Sequence, residues 1–213
     1  MGDQRPIGIF DSGVGGLTVL KEMRERLPLE PTIYVADLLH FPYGPRYQDE
    51  VRGFALDIIR YLESREVKLV VIACNTATAA ALNQSRELFE LPIIGVISPG
   101  AQAAVEATKN HRIGVISTEG TMRSQEYLHA IKEIDPMVGV YQKACPELVD
   151  SATTTAAKVE RHLEHSRLRA VDANPRHEVL VTDFPQRFDE IAANLFGEAI
   201  EAEEVQIWEP QKT

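Results

Sequence analysis
The stretch VVIACNTATAAAL, residues 70–82, decides the fold. A strand-sized apolar run ends at Ala73 and Cys74, polar Asn75 and Thr76 follow, and an alanine-rich helical run takes over. A buried strand that feeds straight into a helix is the repeating unit of a parallel α/β sheet. A thiol at such a corner can be a nucleophile, a base, a metal ligand or inert packing. Backbone N–H groups at a helix start lower a thiol pKa, so the corner predicts a thiolate within reach near neutral pH. The Asn75–Thr76 pair, able to hydrogen-bond a carboxylate or amide, tips the reading towards a working thiol.

Working outward, the same rhythm recurs. PIGIF (6–10), TIYVA (32–36), LVVIA (69–73), PIIGV (92–96), RIGVIS (112–117), VGVYQ (138–142), EVLVT (178–182) and VQIW (205–208) read as buried strands. Amphipathic stretches such as LTVLKEMRERL and VRGFALDIIRYLES lie between them. Strand-helix alternation of this kind predicts parallel sheet covered by helices, with ligands outside the carboxyl ends of the strands. Those ends read DSGVGG, ADLLHFPYG, CNTAT and STEGT, all polar and turn-rich. The rhythm fails once. Over residues 143–177 one helix, ELVDSATTTAAKVERHLE, is legible where a further strand is expected, and VDANPRH reads as a polar link.

Each strand end has a structural and a functional reading. In FDSGVGG three glycines in four positions let the backbone approach an anion at a helix start, or make a tight turn capped by Asp11 or Ser12. Neither dinucleotide nor P-loop spacing is present, which argues against nucleotide binding. HFPYGPR is an ordinary Pro-Gly turn, or a cover in which Tyr43 and the Gly44 amide close a pocket mouth, with His40 a surface loop residue. Thr118 and Thr121 in STEGTMRS suit both helix capping and ligand contact. Cys145, followed by Pro146 at the start of a helical turn, reads as a buried thiol.

Composition narrows the class. A 213-residue chain that is 44% hydrophobic can bury a core in one domain or two small ones. A formal charge of −10 argues against nucleic acid and anionic membrane as partners. Apolar runs are strand-sized, so no membrane span is expected. Two cysteines without CxxC or HExxH point to a reducing, cytoplasmic setting and to no metal site.

IGIFDSGVGGLTVL, PYG, ACNTATAAAL, PIIGVISPG and IGVISTEGT, in that order, resemble the glutamate racemases of the aspartate/glutamate racemase family. The likeness runs over residues 5–149 and resumes with DSATTTAAKVERHLE and VLVTDFPQRFDEIAANLFG. It implies two pseudosymmetric parallel-sheet α/β domains with the site between them, here 1–98 plus 167–213 and an incomplete 99–166. It implies interconversion of L- and D-glutamate without a cofactor, for peptidoglycan, by two thiols on opposite faces of the α-carbon. Cys74 would be one thiol, assisted by Asp11. Asp11, Ser12, Tyr43, Gly44, Asn75, Thr76, Thr118 and Thr121 would contact glutamate, and a homodimer is an open option. The family's second thiol sits in a Gly-Cys-Thr-His strand end, for which this sequence has no counterpart: Val149 joins Asp150 where several dozen residues would intervene. Cys145 matches a different position. Three readings follow: a racemase with impaired turnover, a binding remnant with one half-site, and a single-thiol enzyme like the related arylmalonate decarboxylases.

Overall fold
The computed structural model describes residues 2–145, 152–171, 174–183 and 185–208. Strands β1 (Ile7–Asp11), β2 (Thr32–Ala36), β3 (Leu69–Ile72), β4 (Ile93–Gly95), β7 (His177–Val181) and β8 (Glu203–Glu204) form one parallel sheet in the order β4-β3-β1-β2-β7-β8. Strands β5 (Arg112–Ser117) and β6 (Gly139–Ala144) pair in parallel as a second sheet. The helices are α1 (Leu17–Arg26), α2 (Gln48–Ser64), α3 (Asn75–Leu88), α4 (Ile97–Ala107), α5 (Glu119–Ser124), α6 (Glu126–Ile134), α7 (Ala152–His165) and α8 (Pro185–Phe196).

Strand periodicity of two explains how one sheet builds two cores. Ile7, Ile9, Tyr34, Ala36, Leu69 and Val71 face one side and meet Leu17, Leu20 and Met23 of α1, Val159 and Leu163 of α7, and Phe188 of α8. Phe10, Ile33, Val35, Val70 and Ile72 face the other and meet Ile58, Ile59 and Leu62 of α2 and Ala77 and Ala81 of α3. Since α1 and α2 cover opposite faces, the strand order reverses about β1, and the crevice at its carboxyl end is where an open α/β sheet takes its ligand. The small sheet has its own core of Ala101, Ile113, Ile131 and Val138. The chain crosses from the large sheet to the small one through α4 and returns through α7, whose apolar stripe packs in the first core.

Seven of the eight expected strands fall where the sequence places them, within a residue or two. The eighth is displaced. VQIW is not strand: β8 is Glu203–Glu204, paired with Leu180 and Val181, and the Val205 N–H donates to the Val181 carbonyl before the chain leaves the sheet. Val205, Ile207 and Trp208 pack against the second core instead, and Trp208 Nε1 donates to Asp57 Oδ2 at 3.0 Å. Their apolar character reflects that packing rather than a ladder. The Val149–Asp150 junction and the helical turn expected at Pro146 lie outside the described residues.

Candidate active site
Asp11 is the last residue of β1 and turns its carboxylate back into the loop that follows. Its Oδ2 accepts from the Gly13 N–H at 3.2 Å and the Gly16 N–H at 3.0 Å. The glycine loop is therefore a cradle for the chain's own carboxylate, and of the two readings of DSGVGG the tight turn holds at those two amides. Gly16 is required there by space. A Cβ on it would stand 2.6 Å from Asp11 Cβ, 2.9 Å from the Tyr34 hydroxyl and 3.0 Å from Ala73 Cβ. Burial pushes Asp11 above the ordinary carboxylate range, against the lowering effect of the Gly16, Ser12 and Gly13 amides and of the Cys74 thiol.

Cys74 follows β3 and is itself the N-cap of α3, its Sγ accepting from the Ala77 N–H at 3.4 Å. Its thiol donates to Ser12 Oγ at 3.5 Å. The expectation of a low pKa is overturned. Burial, followed by the nearby Asp11 charge, pushes the Cys74 thiol up to about 12, and the Ser12 and Ala77 donors do not offset it. The sequence shows the helix start but not the depth: the side of Cys74 away from the helix is closed by the core, and the residue is 6% exposed. Iodoacetamide at pH 8 should accordingly label the half-buried Cys145 well ahead of Cys74. The Cys74 rate should climb about tenfold per pH unit from pH 9 to 11, because only the thiolate reacts. Peptide mass spectrometry reads both, and a Cys74 rate that levels off below pH 9 would contradict the buried thiol.

The second sheet brings hydroxyls to the same place. Thr76 Oγ1 lies 3.0 Å from Thr118 Oγ1, which lies 3.0 Å from Thr121 Oγ1. Thr118 also caps α5, accepting from the Thr121 N–H at 3.3 Å, so capping and a place in the site coincide. Tyr127 of α6 donates to Asn75 Oδ1 at 2.7 Å. A Cβ on Gly120 would lie 3.6 Å from the Gly44 carbonyl, so the PYG turn closes against α5. The nine sequence-predicted residues, Cys74 included, thus meet in one region, with Tyr43 buried near Asp11 and Cys74. Cys145 follows β6, one step beyond the Ser117–Ala144 pair, its N–H donating to the Ser117 carbonyl at 2.7 Å. Among the described residues no hydrogen bond joins it to Cys74.

Two residues escaped the sequence reading. Asp37, fully buried at the end of β2, accepts from the Tyr43 hydroxyl at 2.5 Å and from Thr182 Oγ1 at 3.1 Å. It also holds His40, whose Nδ1 lies 3.0 Å from Oδ2. His40 is thus no surface loop residue; its ring stacks on Phe54 at 3.9 Å with Trp208 at its edge. The signal for Asp37 was present, since ADL ends β2 as FDS ends β1. Gln48 is the other. Its Nε2 is buried without a hydrogen-bond partner, 2.9 Å from the place of a Cβ on Gly120. Among the described residues no group of three or more His, Cys, Asp or Glu could hold a metal, and no helix is long and apolar enough to cross a membrane.

Fold and site define an α/β protein with a buried thiol beside a carboxylate, closed by hydroxyls from a second sheet. The family model for Asp/Glu/Hydantoin racemases matches residues 12–178. The chain is 49% identical over 160 residues to a glutamate racemase of Exiguobacterium sibiricum, covering 74% of this chain and 59% of that protein. With the glutamate racemase of Levilactobacillus brevis it shares 50% over 159 residues, 72% of this chain and 58% of that one. It therefore spans under two thirds of the length of these curated relatives. Glutamate racemase isoform RacE1 of Bacillus anthracis superposes with a TM-score of 0.91 at 32% identity, covering 96% of this chain and 98% of that one. A glutamate racemase of Francisella tularensis solved with D-glutamate gives 0.88 at 26%, covering 96% and 98%. The chain belongs to the Asp/Glu/Hydantoin racemase family.

Proposed function
We propose that the site binds glutamate and that Cys74 exchanges its α-proton from one face, without a cofactor, as a glutamate racemase reduced to one thiol. The observation that carries this is the thiol of Cys74 beside Ser12 and the buried Asp11, with the Thr76–Thr118–Thr121 hydroxyls gathered at the starts of α3 and α5. Asp11, raised by burial, is a stronger base than a free carboxylate and is suited to take up the thiol proton as the thiolate forms. The thiolate then removes the α-proton and returns it, exchanged with solvent, to the same face. Asp11, Ser12, Tyr43, Gly44, Asn75, Thr76, Thr118 and Thr121 hold the substrate, with the hydroxyls and helix-start amides receiving its carboxylates. On this reading residues 1–98 with 167–213 are the first domain and 99–166 the second, with α7 of the second packing its Ala156, Val159 and Leu163 in the first core.

Inversion needs a second acid on the far face, and the Gly-Cys-Thr-His strand end that would supply it has no counterpart between Cys145 and the returning helix. Losing one positioned proton-transfer group costs about 10²–10⁴-fold. Circular dichroism of L-glutamate should therefore show racemisation slower by that factor than a full-length relative. Proton NMR in D₂O should show one enantiomer losing its α-proton faster than it inverts. Racemisation at the full-length rate would refute the one-thiol reading. Absence of exchange from both enantiomers would favour the second reading, a glutamate-binding remnant, which the raised Cys74 thiol supports.

A further inference from the structure
The Tyr43–Gly44 turn is held from behind by groups that lie off the path of the reaction. Asp37 gathers four donors on its fully buried carboxylate: the Tyr43 hydroxyl at 2.5 Å, Thr182 Oγ1 at 3.1 Å, the His40 N–H at 3.3 Å and His40 Nδ1 at 3.0 Å. A carboxylate only accepts, so Nδ1 of His40 carries the proton. Burial and the Asp37 charge push the Tyr43 hydroxyl well above the ordinary phenol range, so it keeps its proton and donates. Arg46 closes the other side of the turn. Its Nε donates to the His40 carbonyl at 2.7 Å and its N–H to the Tyr43 carbonyl at 3.1 Å. In front, Phe41 lies on the glycine loop. A Cβ on Gly13, whose N–H holds Asp11, would stand 2.9 Å from Phe41 Cδ2.

A stack of rings links this turn to the far side of α2. The His40 ring lies flat on Phe54, centroids 3.9 Å apart at 16°, and meets Trp208 edge-on at 4.4 Å. Trp208 also stands edge-on to Phe54 at 6.1 Å, and its Nε1 donates to Asp57 one turn along the same helix, at 3.0 Å. The Arg46 guanidinium lies over the Phe54 ring at 5.4 Å, and the Tyr43 ring leans on it at 5.9 Å. Stacked and edge-on contacts of this kind attract beyond the area they bury. Residues 205–208 reach this stack from the edge of the large sheet, where the Val205 N–H donates to the Val181 carbonyl at 2.8 Å. Apolar cover for α2 would explain Val205 and Ile207 but not an imidazole beneath the tryptophan. His40 is fixed on its ring face by Phe54, at Nδ1 by Asp37, at its edge by Trp208, and along its main chain by Asp37 and Arg46.

We propose that His40 and Trp208 are positioning residues for the Tyr43–Gly44 turn, with residues 205–208 a strap that presses the His40 ring between Asp37 and Phe54 and keeps the turn in the form that receives substrate. Their effect passes through Asp37 to the Tyr43 hydroxyl, and through the His40 carbonyl to Arg46. On the reading that glutamate is what this turn receives, loosening the strap weakens binding rather than chemistry. A turn formed for only part of the time admits substrate for that fraction alone. Apparent affinity then falls in proportion, while the rate at saturation, set at Cys74, stays.

Two measurements on the full chain test this. Amide hydrogen exchange of the free protein reads the turn itself. Residues 38–47 should exchange about tenfold faster in Trp208→Ala and in His40→Ala, with β1 and β3 as slow as in the parent. Trp208→Phe keeps a ring at the imidazole edge and should restore most of that protection, although it loses the bond to Asp57. Isothermal titration with L-glutamate should show binding about tenfold weaker in the two alanine variants and near parental in Trp208→Phe. Exchange of the α-proton at saturating glutamate should stay within about threefold of the parent rate. Faster amide exchange confined to 38–47, in a parent that binds no glutamate, would keep the strap and remove glutamate as the ligand of the turn. Unchanged exchange at 38–47, faster exchange spread evenly over the sheet, or equal glutamate affinity in the parent and both alanine variants would overturn the positioning role.

Discussion

Cys74→Ala is expected to slow α-proton exchange of glutamate by about 10²–10⁴-fold, the largest functional effect of any single change in this chain. Asp11, Ser12 and the threonines remain in that variant, but none of them is a thiol, and the α-proton is too weakly acidic for a hydroxyl to remove. The loss should fall on rate rather than on binding, since the carboxylates of the substrate are held by other residues. A change in the apparent glutamate affinity of no more than a few fold is therefore expected. Folding is not the confounder it is at many buried positions. Cys74 caps α3 through a 3.4 Å contact, and a lost cap costs about 0.5–2 kcal/mol, which leaves a core of this size folded. Cys74→Ser retains an acceptor for the Ala77 N–H and should restore the cap without restoring exchange. Proton NMR of glutamate in D₂O measures the rate in all three proteins. Exchange by Cys74→Ala at the parent rate would move the chemistry to another residue.

Much of this is legible in the sequence. The apolar runs ending at Phe10, Ala36 and Ala73 each stop at a polar residue, and those stops are the carboxyl ends that build the crevice. The pairing of Asp11 with Cys74 follows, because β1 and β3 are neighbours whenever the strand order reverses about β1. What the sequence could not show is how deep each group sits. Asn75 and Thr76 advertise a helix start, which lowers a thiol pKa, but Asp11 and the apolar wall that raise it come from residues sixty positions earlier and from the far face of α3. The same holds for His40. FPYG around it reads as exposed turn, whereas Asp37, Phe54 and Trp208 converge on it from β2, α2 and the chain's last described residues.

Lys68→Ala should destabilise the fold by about 3–5 kcal/mol, although Lys68 touches no part of the site. Lys68 precedes β3 at the amino ends of the strands, and neither its side chain nor that of Glu30 is accessible beyond 1%. The two are in contact at 2.5 Å. The remaining ammonium hydrogens go to the Asp3 carbonyl at 2.8 Å and the Leu168 carbonyl at 2.9 Å, so the donors of the lysine are all used. Glu30 Oε1 in turn accepts from the Ala170 N–H at 2.7 Å. One buried pair thus ties the segment before β1, the α1–β2 turn, the start of β3 and the return from α7. Alanine at 68 leaves Glu30 buried with only Arg169 Nε, 3.6 Å from Oε1, as a cation beside it, and strands two carbonyls, which is the costly way to break such a pair. Removing both charges is a different experiment. Lys68→Met with Glu30→Gln leaves no uncompensated charge and should cost far less than the sum of the two single changes. Urea unfolding followed by far-UV circular dichroism would give the four stabilities of the cycle. The coupling should be large and favourable in the parent. A Lys68→Ala cost below about 1 kcal/mol, the range of exposed pairs, would mean that water reaches this end of the sheet and that the return of the chain from α7 is held by apolar packing alone.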